Sequence, residues 1–176
     1  MKNEEINFKN LMVSGWELDI FNVLCYFEIK LFFTERTDTL ILIACIDNQF
    51  GMLFNQRRQS QDRVLREKIL AMTSDSKLWM DAYSAKQFSD LEAPQICVDA
   101  DFLAKAVQGD YCFAECVNVA PYEIQIEKIV LYKWNRVYPA DRWFPIPLQE
   151  NGWRLLQTTD FAGFSHETIT EEIYIK

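Results

Sequence analysis

The chain has 176 residues, of which 49% are hydrophobic and 14% aromatic, so it is long and apolar enough for one domain with a sizeable core. Asp and Glu total 26 against 18 Lys and Arg, and the net charge of −8 predicts repulsion from bulk nucleic acid and from anionic membranes. One histidine and five cysteines without metal-ligand spacing exclude a His-rich zinc site, and we expect no bound metal.

The distribution of charged and apolar residues also predicts the compartment. The cysteines lie mostly within apolar runs, which is typical of buried thiols in a reducing environment. The first ten residues carry charges without a following apolar run, so no signal peptide is expected. Apolar stretches are interrupted by Glu28, Lys30 or Asp47, and none approaches the roughly 20 residues of a membrane span. We therefore expect a cytoplasmic protein that is not bound to a membrane.

The first part of the chain divides into an extension and the start of an α/β domain. Residues 1–38 lack a clean hydrophobic period, and we expect an N-terminal extension that packs on the body formed by residues 39–176. The run DTLILIACID, residues 38–47, predicts a buried central strand, followed by a turn at Gly51. Residues 56–72 predict a helix with Ser60 as the N-cap and Asp62 in its first turn.

Short strands and helices alternate through the rest of the chain. Strands are predicted over residues 77–83, 95–98, 111–116, 128–134, 153–158 and 168–175. Short helices are predicted over 84–91 and 101–107 and after Pro121, and the long connection 135–152 is expected to run over the surface. This alternation predicts a mainly parallel central sheet of about eight strands, covered on both faces, with an antiparallel hairpin at its C-terminal edge.

Three segments carry a resemblance to a known family. ILIACIDNQFGMLFN resembles a first strand with an Asn-x-x-Gly turn, IEKIVLYKWNRVYPADRWFP resembles a late strand and the segment that ends in Phe-Pro, and the tail from Gly152 resembles a closing hairpin. In this order and spacing they resemble the dihydrofolate reductase family over about residues 39–176. The resemblance implies the three-layer α/β fold of that family, and the first 38 residues have no counterpart in it.

The sequence departs from this family at the positions that serve catalysis. Arg57, Arg58 and Gln59 stand roughly where the family has Leu-Pro-Trp. The Gly-Arg-x-Thr that contacts the NADPH phosphates would fall at residues 81–84, where only Ser84 is chemically similar. The family's Gly-Gly pair would fall near Glu115, and a carboxylate repels a pyrophosphate. We expect no cofactor; if NADPH does bind, Ser84 is the residue left to contact it.

The candidate site combines one carboxylate with neighbouring cationic and apolar residues. Asp62 shares the inward face of the predicted helix with Leu65 and Ile69, so it can serve catalysis as a proton-handling group or simply stabilise the helix dipole. Residues 57–68 carry a local charge of +3, suited to a phosphate or carboxylate, or form a solvated helix face. The predicted ligand-binding residues are Gly51, Met52, Phe54, Arg57, Arg58 and Tyr132.

Two of the remaining candidates have a structural interpretation. Tyr132 falls where the family has a pocket threonine, and its ring either supplies a hydroxyl or fills the pocket. His166 is expected to cap or form hydrogen bonds within the turn of the C-terminal hairpin, with a catalytic role as the alternative.

Three functions remain open on these grounds. The first is a diverged reductase-like protein that binds a small heterocycle or nucleotide-like ligand without normal NADPH-dependent reductase activity. The second is an NADPH-dependent pterin or folate-type oxidoreductase with Asp62 as the substrate-binding carboxylate, and the third is a protein-interaction module. The fragments RRQSQD and YSAKQF also resemble small bacterial proteins labelled ribonuclease Z, but a metal-dependent ribonuclease needs a cluster of His and Asp, and this chain has one His.

Overall fold

The computed structural model describes residues 39–176; the extension predicted over residues 1–38 lies outside them. The elements, in chain order, are β1 (Leu40–Ile46), β2 (Gly51–Phe54), β3 (Arg57–Arg58), α1 (Arg63–Met72), β4 (Leu78–Met80), α2 (Ala82–Ala85), β5 (Ile96–Val98), α3 (Phe102–Lys105), β6 (Asp110–Phe113), β7 (Ile126–Lys133), β8 (Arg142–Trp143), β9 (Arg154–Phe161) and β10 (Ile169–Ile175). Two 3₁₀ turns lie at Lys86–Phe88 and Ala120–Gln125.

Seven of the described strands form one sheet, in the order β5-β4-β6-β1-β7-β10-β9. The strands from β5 to β7 are parallel to their neighbours, whereas β10 runs antiparallel to both β7 and β9. The mainly parallel sheet with an antiparallel C-terminal hairpin is confirmed. β1 lies in the middle of the sheet because its side chains are apolar on both faces, so neither face can be left in water.

The two faces of β1 divide the core between two layers of helix. Leu40 and Leu42 pack on the face that carries Phe102 of α3. Ile41 and Ile43 pack on the opposite face, against Leu65 and Ile69 of α1 and against the 3₁₀ turn after α2. Helices therefore cover both faces of the sheet, which gives the three layers. No helix among residues 39–176 has the length and apolar character needed to cross a membrane.

A second, three-stranded sheet in the order β3-β2-β8 corrects two predictions. Gly51 opens a strand rather than sitting in a turn, and residues 56–60 are not helical, because Asn55 and Gln56 adopt positive φ angles of 49° and 59° and turn the chain back as a tight hairpin. The helix therefore starts later, at Arg63, and its N-cap is Asp62 rather than Ser60.

The connection over residues 135–152 is also not the surface loop that the sequence predicted. It contributes β8, which pairs antiparallel with β2. Beyond β8 it buries Phe144, Ile146 and Leu148 in the core on the α3 face. The alternating apolar residues after Trp143 anchor this segment in the core. Because β8 pairs with β2, the anchored segment also fixes the position of the β2–β3 hairpin.

We predict that Gly51→Ala destabilises the protein, because the added Cβ would lie 2.6 Å from the Gln59 amide nitrogen, 2.8 Å from the Ala140 Cβ and 3.0 Å from an Asp47 carboxylate oxygen. Overpacking of this kind costs about 1–3 kcal/mol, measurable by urea denaturation. The control is a double-mutant cycle with Ala140→Gly, which removes one clash and should recover part of the loss. Additive effects of the two changes would contradict the steric explanation.

Candidate functional site

The buried carboxylate of Asp47, directly after β1, holds the β2–β3 hairpin in place. One carboxylate oxygen accepts hydrogen bonds from the backbone N–H groups of Gln49 and Gly51, at 2.8 and 2.7 Å. The other accepts the N–H of Tyr138 at 3.0 Å and the side-chain amide of Gln59 at 3.3 Å. Asp47 therefore ties the hairpin to the end of the central strand, and β3 lies above the carboxyl end of the parallel strands.

The hairpin places Arg58 against a second buried carboxylate. An Arg58 guanidinium nitrogen lies 3.2 Å from a carboxylate oxygen of Glu115, the second residue after β6, and the side-chain amide of Gln87 donates to the same oxygen at 3.1 Å. Burial raises the pKa of Glu115, although the Arg58 guanidinium and the Ser84 hydroxyl both lower it. Arg58 and Glu115 thus form a buried pair of opposite charges at the carboxyl end of β6.

Tyr83 is the third member of this arrangement. Its hydroxyl accepts the backbone N–H of Arg58 at 2.8 Å, and its carbonyl oxygen accepts from the guanidinium at 3.0 Å. The guanidinium carbon also lies 4.6 Å from the centroid of the Tyr83 ring, within cation–π range. Tyr83 therefore holds Arg58 in one orientation through its backbone N–H, a guanidinium nitrogen and the plane of the guanidinium group.

Two open clefts share Tyr83 as a wall residue. The first, called the basic cleft below, has a volume of about 560 Å³ and is lined by Arg57, Arg58, Ser60, Gln61, Tyr83, Lys86 and Gln87. The second, of about 510 Å³, is lined by Leu53, Gln56, Tyr83, Cys116, Asp141 and Arg142. The basic cleft has no carboxylate among its lining residues, and two of its three cationic side chains, Arg57 and Lys86, are additional to the Arg58–Glu115 pair, so its chemistry suits an anion.

Asp62, the predicted catalytic residue, lines neither cleft and is 3% exposed. One of its carboxylate oxygens accepts the N–H of Val64 at 2.9 Å and that of Phe164 at 3.0 Å. The other accepts the N–H of Ser165 at 2.7 Å and lies 3.2 Å from Nδ1 of His166. Burial would raise the pKa of Asp62, but these hydrogen bonds outweigh it and hold the pKa well below its ordinary value. The carboxylate is an anionic N-cap that also binds the β9–β10 loop.

The other predicted ligand-binding residues are distributed between the core and the surface. Tyr132 is fully buried, and its hydroxyl donates to a Glu171 carboxylate oxygen at 2.8 Å. Met52 is buried in the core, whereas the Phe54 side chain is 44% exposed. Arg57 and Arg58 are the two predicted ligand-binding residues that line the basic cleft.

Ser84, the predicted cofactor contact, is also buried. It lies within α2, and its backbone N–H donates to the Asp81 carboxylate at 2.7 Å, which caps that helix. Sequence reasoning assigned neither Tyr83 nor Lys86 to the site. Both follow the end of β4, and the rule that ligands collect at the carboxyl ends of parallel strands is the signal that could have found them.

Comparison with known proteins supports the fold. No protein-family model matches the sequence, and no curated protein matches it either. Among solved structures, a dihydrofolate reductase from Enterococcus faecalis, complexed with NADP(H) and RAB-propyl, is similar with a TM-score of 0.58 at 12% sequence identity. The match covers 79% of this chain and 96% of that one. The chain therefore has a dihydrofolate reductase-like fold, as the sequence resemblance implied. Residues 39–176 contain no group of three or more side chains that could hold a metal ion.

We predict that Asp62→Asn destabilises the protein by about 1.5–3 kcal/mol, the range for hydrogen bonds to a charged group. The amide would turn an NH₂ donor towards donors that now face a carboxylate oxygen. Urea denaturation measures the loss. The matched control is Asp90→Asn, whose carboxylate is 64% exposed in its pair with Arg66 and is expected to contribute less than about 1 kcal/mol.

The stability difference between wild type and Asp62→Asn should depend on pH. Because the pKa of Asp62 is lowered in the folded state, its contribution is fully present above the unfolded value of about 3.9 and is lost as pH falls below it. Denaturation at a series of pH values should show the two proteins converging in acid. A gap that stays constant down to low pH would contradict the role of the ionised carboxylate.

Proposed function

We propose that the protein binds a small nucleotide-like or heterocyclic anion in the basic cleft and does not carry out NADPH-dependent hydride transfer of the usual kind. The observation that carries this proposal is the composition of the cleft. Arg57 and Lys86 lie at one opening, beside Arg58 in its pair with Glu115, in a protein whose net charge is −8. Basic side chains concentrated in one cleft of an acidic protein favour a ligand with an anionic group.

The neutral residues of the cleft support a ligand that also has a polar ring. The side-chain amide of Gln61 is exposed and can both donate and accept hydrogen bonds. The Tyr83 ring forms part of the wall and adds an aromatic surface. The volume of about 560 Å³ lies within the range typical of small-molecule sites. These features match a heterocycle with a phosphate or carboxylate tail.

The buried acidic residues argue against the usual binding of NADPH. Glu115 lies near the position at which the family resemblance implies two glycines, and its side chain, paired with Arg58, occupies space that glycines would leave open to a pyrophosphate. The Ser84 side chain is buried rather than presented to a cleft. Asp62 is likewise less suited to bind a pterin, because both its oxygens already accept hydrogen bonds from the protein. The oxidoreductase alternative therefore has less support than ligand binding.

The remaining alternative, a protein-interaction module, was motivated by residues 1–38, which lie outside the described residues. No contact within residues 39–176 favours that function over ligand binding, so we place it third.

We expect adenosine or guanosine monophosphate to raise the melting temperature more than the corresponding nucleoside, since a ligand that binds the folded state stabilises it. Lys86→Gln should weaken monophosphate binding about tenfold or more in titration calorimetry, the effect of losing one charge-assisted hydrogen bond. The control is Lys77→Gln. It makes the same charge change just before β4, at the other end of the parallel strands, and should leave binding unchanged.

NADPH is titrated in parallel with the monophosphates. A micromolar dissociation constant for NADPH that Lys86→Gln does not alter would overturn the proposal in favour of a reductase-type site. Equal weakening by Lys86→Gln and Lys77→Gln would show that only the overall charge matters.

A further inference from the structure

Three polar side chains form a continuous hydrogen-bonded chain beside the basic cleft. The Ser60 hydroxyl lies 3.1 Å from Nε2 of His166. On the other side of the imidazole, Nδ1 lies 3.2 Å from a carboxylate oxygen of Asp62. His166 and Asp62 are 4% and 3% exposed, whereas Ser60 lines the basic cleft. A serine at a cleft, a shielded imidazole and a buried carboxylate thus occur in the order of a nucleophile, its base and the group that orients the base.

The Asp62 carboxylate determines which imidazole nitrogen carries the proton. An ionised carboxylate only accepts hydrogen bonds, so Nδ1 is the protonated nitrogen and Nε2 directs its lone pair towards the Ser60 hydroxyl. The indole ring of Trp134 stacks on the imidazole at 4.7 Å and holds it from one face. Backbone N–H groups of the β9–β10 loop fix the carboxylate in turn. The imidazole is therefore held with its basic nitrogen directed at Ser60.

Two other hydroxyls approach the same imidazole, and their positions distinguish them from Ser60. The Tyr138 hydroxyl lies 3.3 Å from Nε2, but Tyr138 does not line the basic cleft. The Ser165 hydroxyl lies 3.1 Å from Nδ1, the protonated nitrogen, and therefore does not contact the basic nitrogen. It donates its own proton to the Asp62 carboxylate. Ser60 alone among these three hydroxyls combines contact with the basic nitrogen and access to the cleft.

We propose that Ser60, His166 and Asp62 form a hydrolytic triad that cleaves small carboxylic esters bearing a negative charge in the basic cleft. This goes beyond ligand binding by assigning a reaction, and it rests on the proposed function only for the charge of the substrate. Arg57 and Lys86, which line the cleft together with Ser60, provide the positive charge that selects an anionic ester.

The reaction is a two-step acyl transfer. The Ser60 oxygen attacks the ester carbonyl carbon while Nε2 of His166 takes the hydroxyl proton, and the C–O bond to the alcohol breaks as that proton passes to the leaving oxygen. A water molecule then attacks the acyl-serine, giving one proton to Nε2, and the bond between the acyl carbon and the Ser60 oxygen breaks as this proton returns to Ser60. The balance is ester plus water to acid plus alcohol, without oxidant, reductant or metal.

The first test is covalent labelling of the whole chain with a fluorophosphonate, which reacts with activated serines, followed by peptide mass spectrometry. We expect one adduct, on Ser60, and none in Ser60→Ala. His166→Asn should slow labelling by at least about 100-fold, the effect of losing a general base. Ser74→Ala is the matched control, because Ser74 is an exposed serine between α1 and β4 that does not line the basic cleft, and labelling should persist.

The second test is hydrolysis of p-nitrophenyl esters. Wild type should cleave mono-p-nitrophenyl succinate with a higher kcat/KM than p-nitrophenyl acetate, and Ser60→Ala should abolish the hydrolysis of both. No adduct, an adduct on another serine, or hydrolysis retained in Ser60→Ala would overturn the triad. Monophosphate binding by the wild-type protein, measured by calorimetry, separates the two proposals: intact binding with no labelling of Ser60 refutes the triad alone.

Discussion

The Asp62 carboxylate connects two segments that are about a hundred residues apart in sequence, and much of the site depends on it. It caps the first turn of α1 and at the same time binds backbone N–H groups of the loop between β9 and β10. A carboxylate surrounded by several donors keeps its charge in a buried place, which is why its pKa falls although burial acts in the opposite direction. The orientation of His166, and hence the contact with Ser60, follows from this one anchored anion.

A second buried carboxylate, Glu115, determines the character of the neighbouring region. Its pairing with Arg58 occupies space at the carboxyl ends of the parallel strands, where α/β proteins usually bind ligands. The remaining open volume is divided into two clefts that share Tyr83. The fold thus resembles that of dihydrofolate reductase. Fold and site chemistry have to be argued separately in this molecule.

The sequence predicted the fold well where the signal is local. β1 is a continuous apolar run and β7 contains one over residues 129–132, so both are recognisable as strands from patterning alone, and β10 follows in the expected hairpin order. The β2–β3 hairpin was missed because its two-residue turn needs positive φ at Asn55 and Gln56, and its strands are short. Asn55 is typical of that conformation but Gln56 is not, so the local signal for the turn is weak.

The site was less predictable, for a physical reason. The clustering of Arg57 and Arg58 indicated a cationic place, and both residues do line the basic cleft. The partner of Arg58, however, is Glu115, which lies far from it in sequence. Only the order of strands in the sheet brings these two segments together. Asp62 was predicted as a first-turn residue on the inward face of the helix, whereas it is the N-cap that precedes α1. Its hydrogen-bond partners in the β9–β10 loop have no signature in the sequence.

The Arg58–Glu115 pair also limits how this sequence can change over time. Each charge is largely removed from water, and loss of either partner alone would leave the other buried without compensation, at a cost of about 3–5 kcal/mol. That cost is comparable to a large part of the stability of a small domain, so single substitutions at either position are expected to be removed by selection. The two positions can then change only together, and a descendant of this protein that reopens this part of the sheet needs two coordinated replacements.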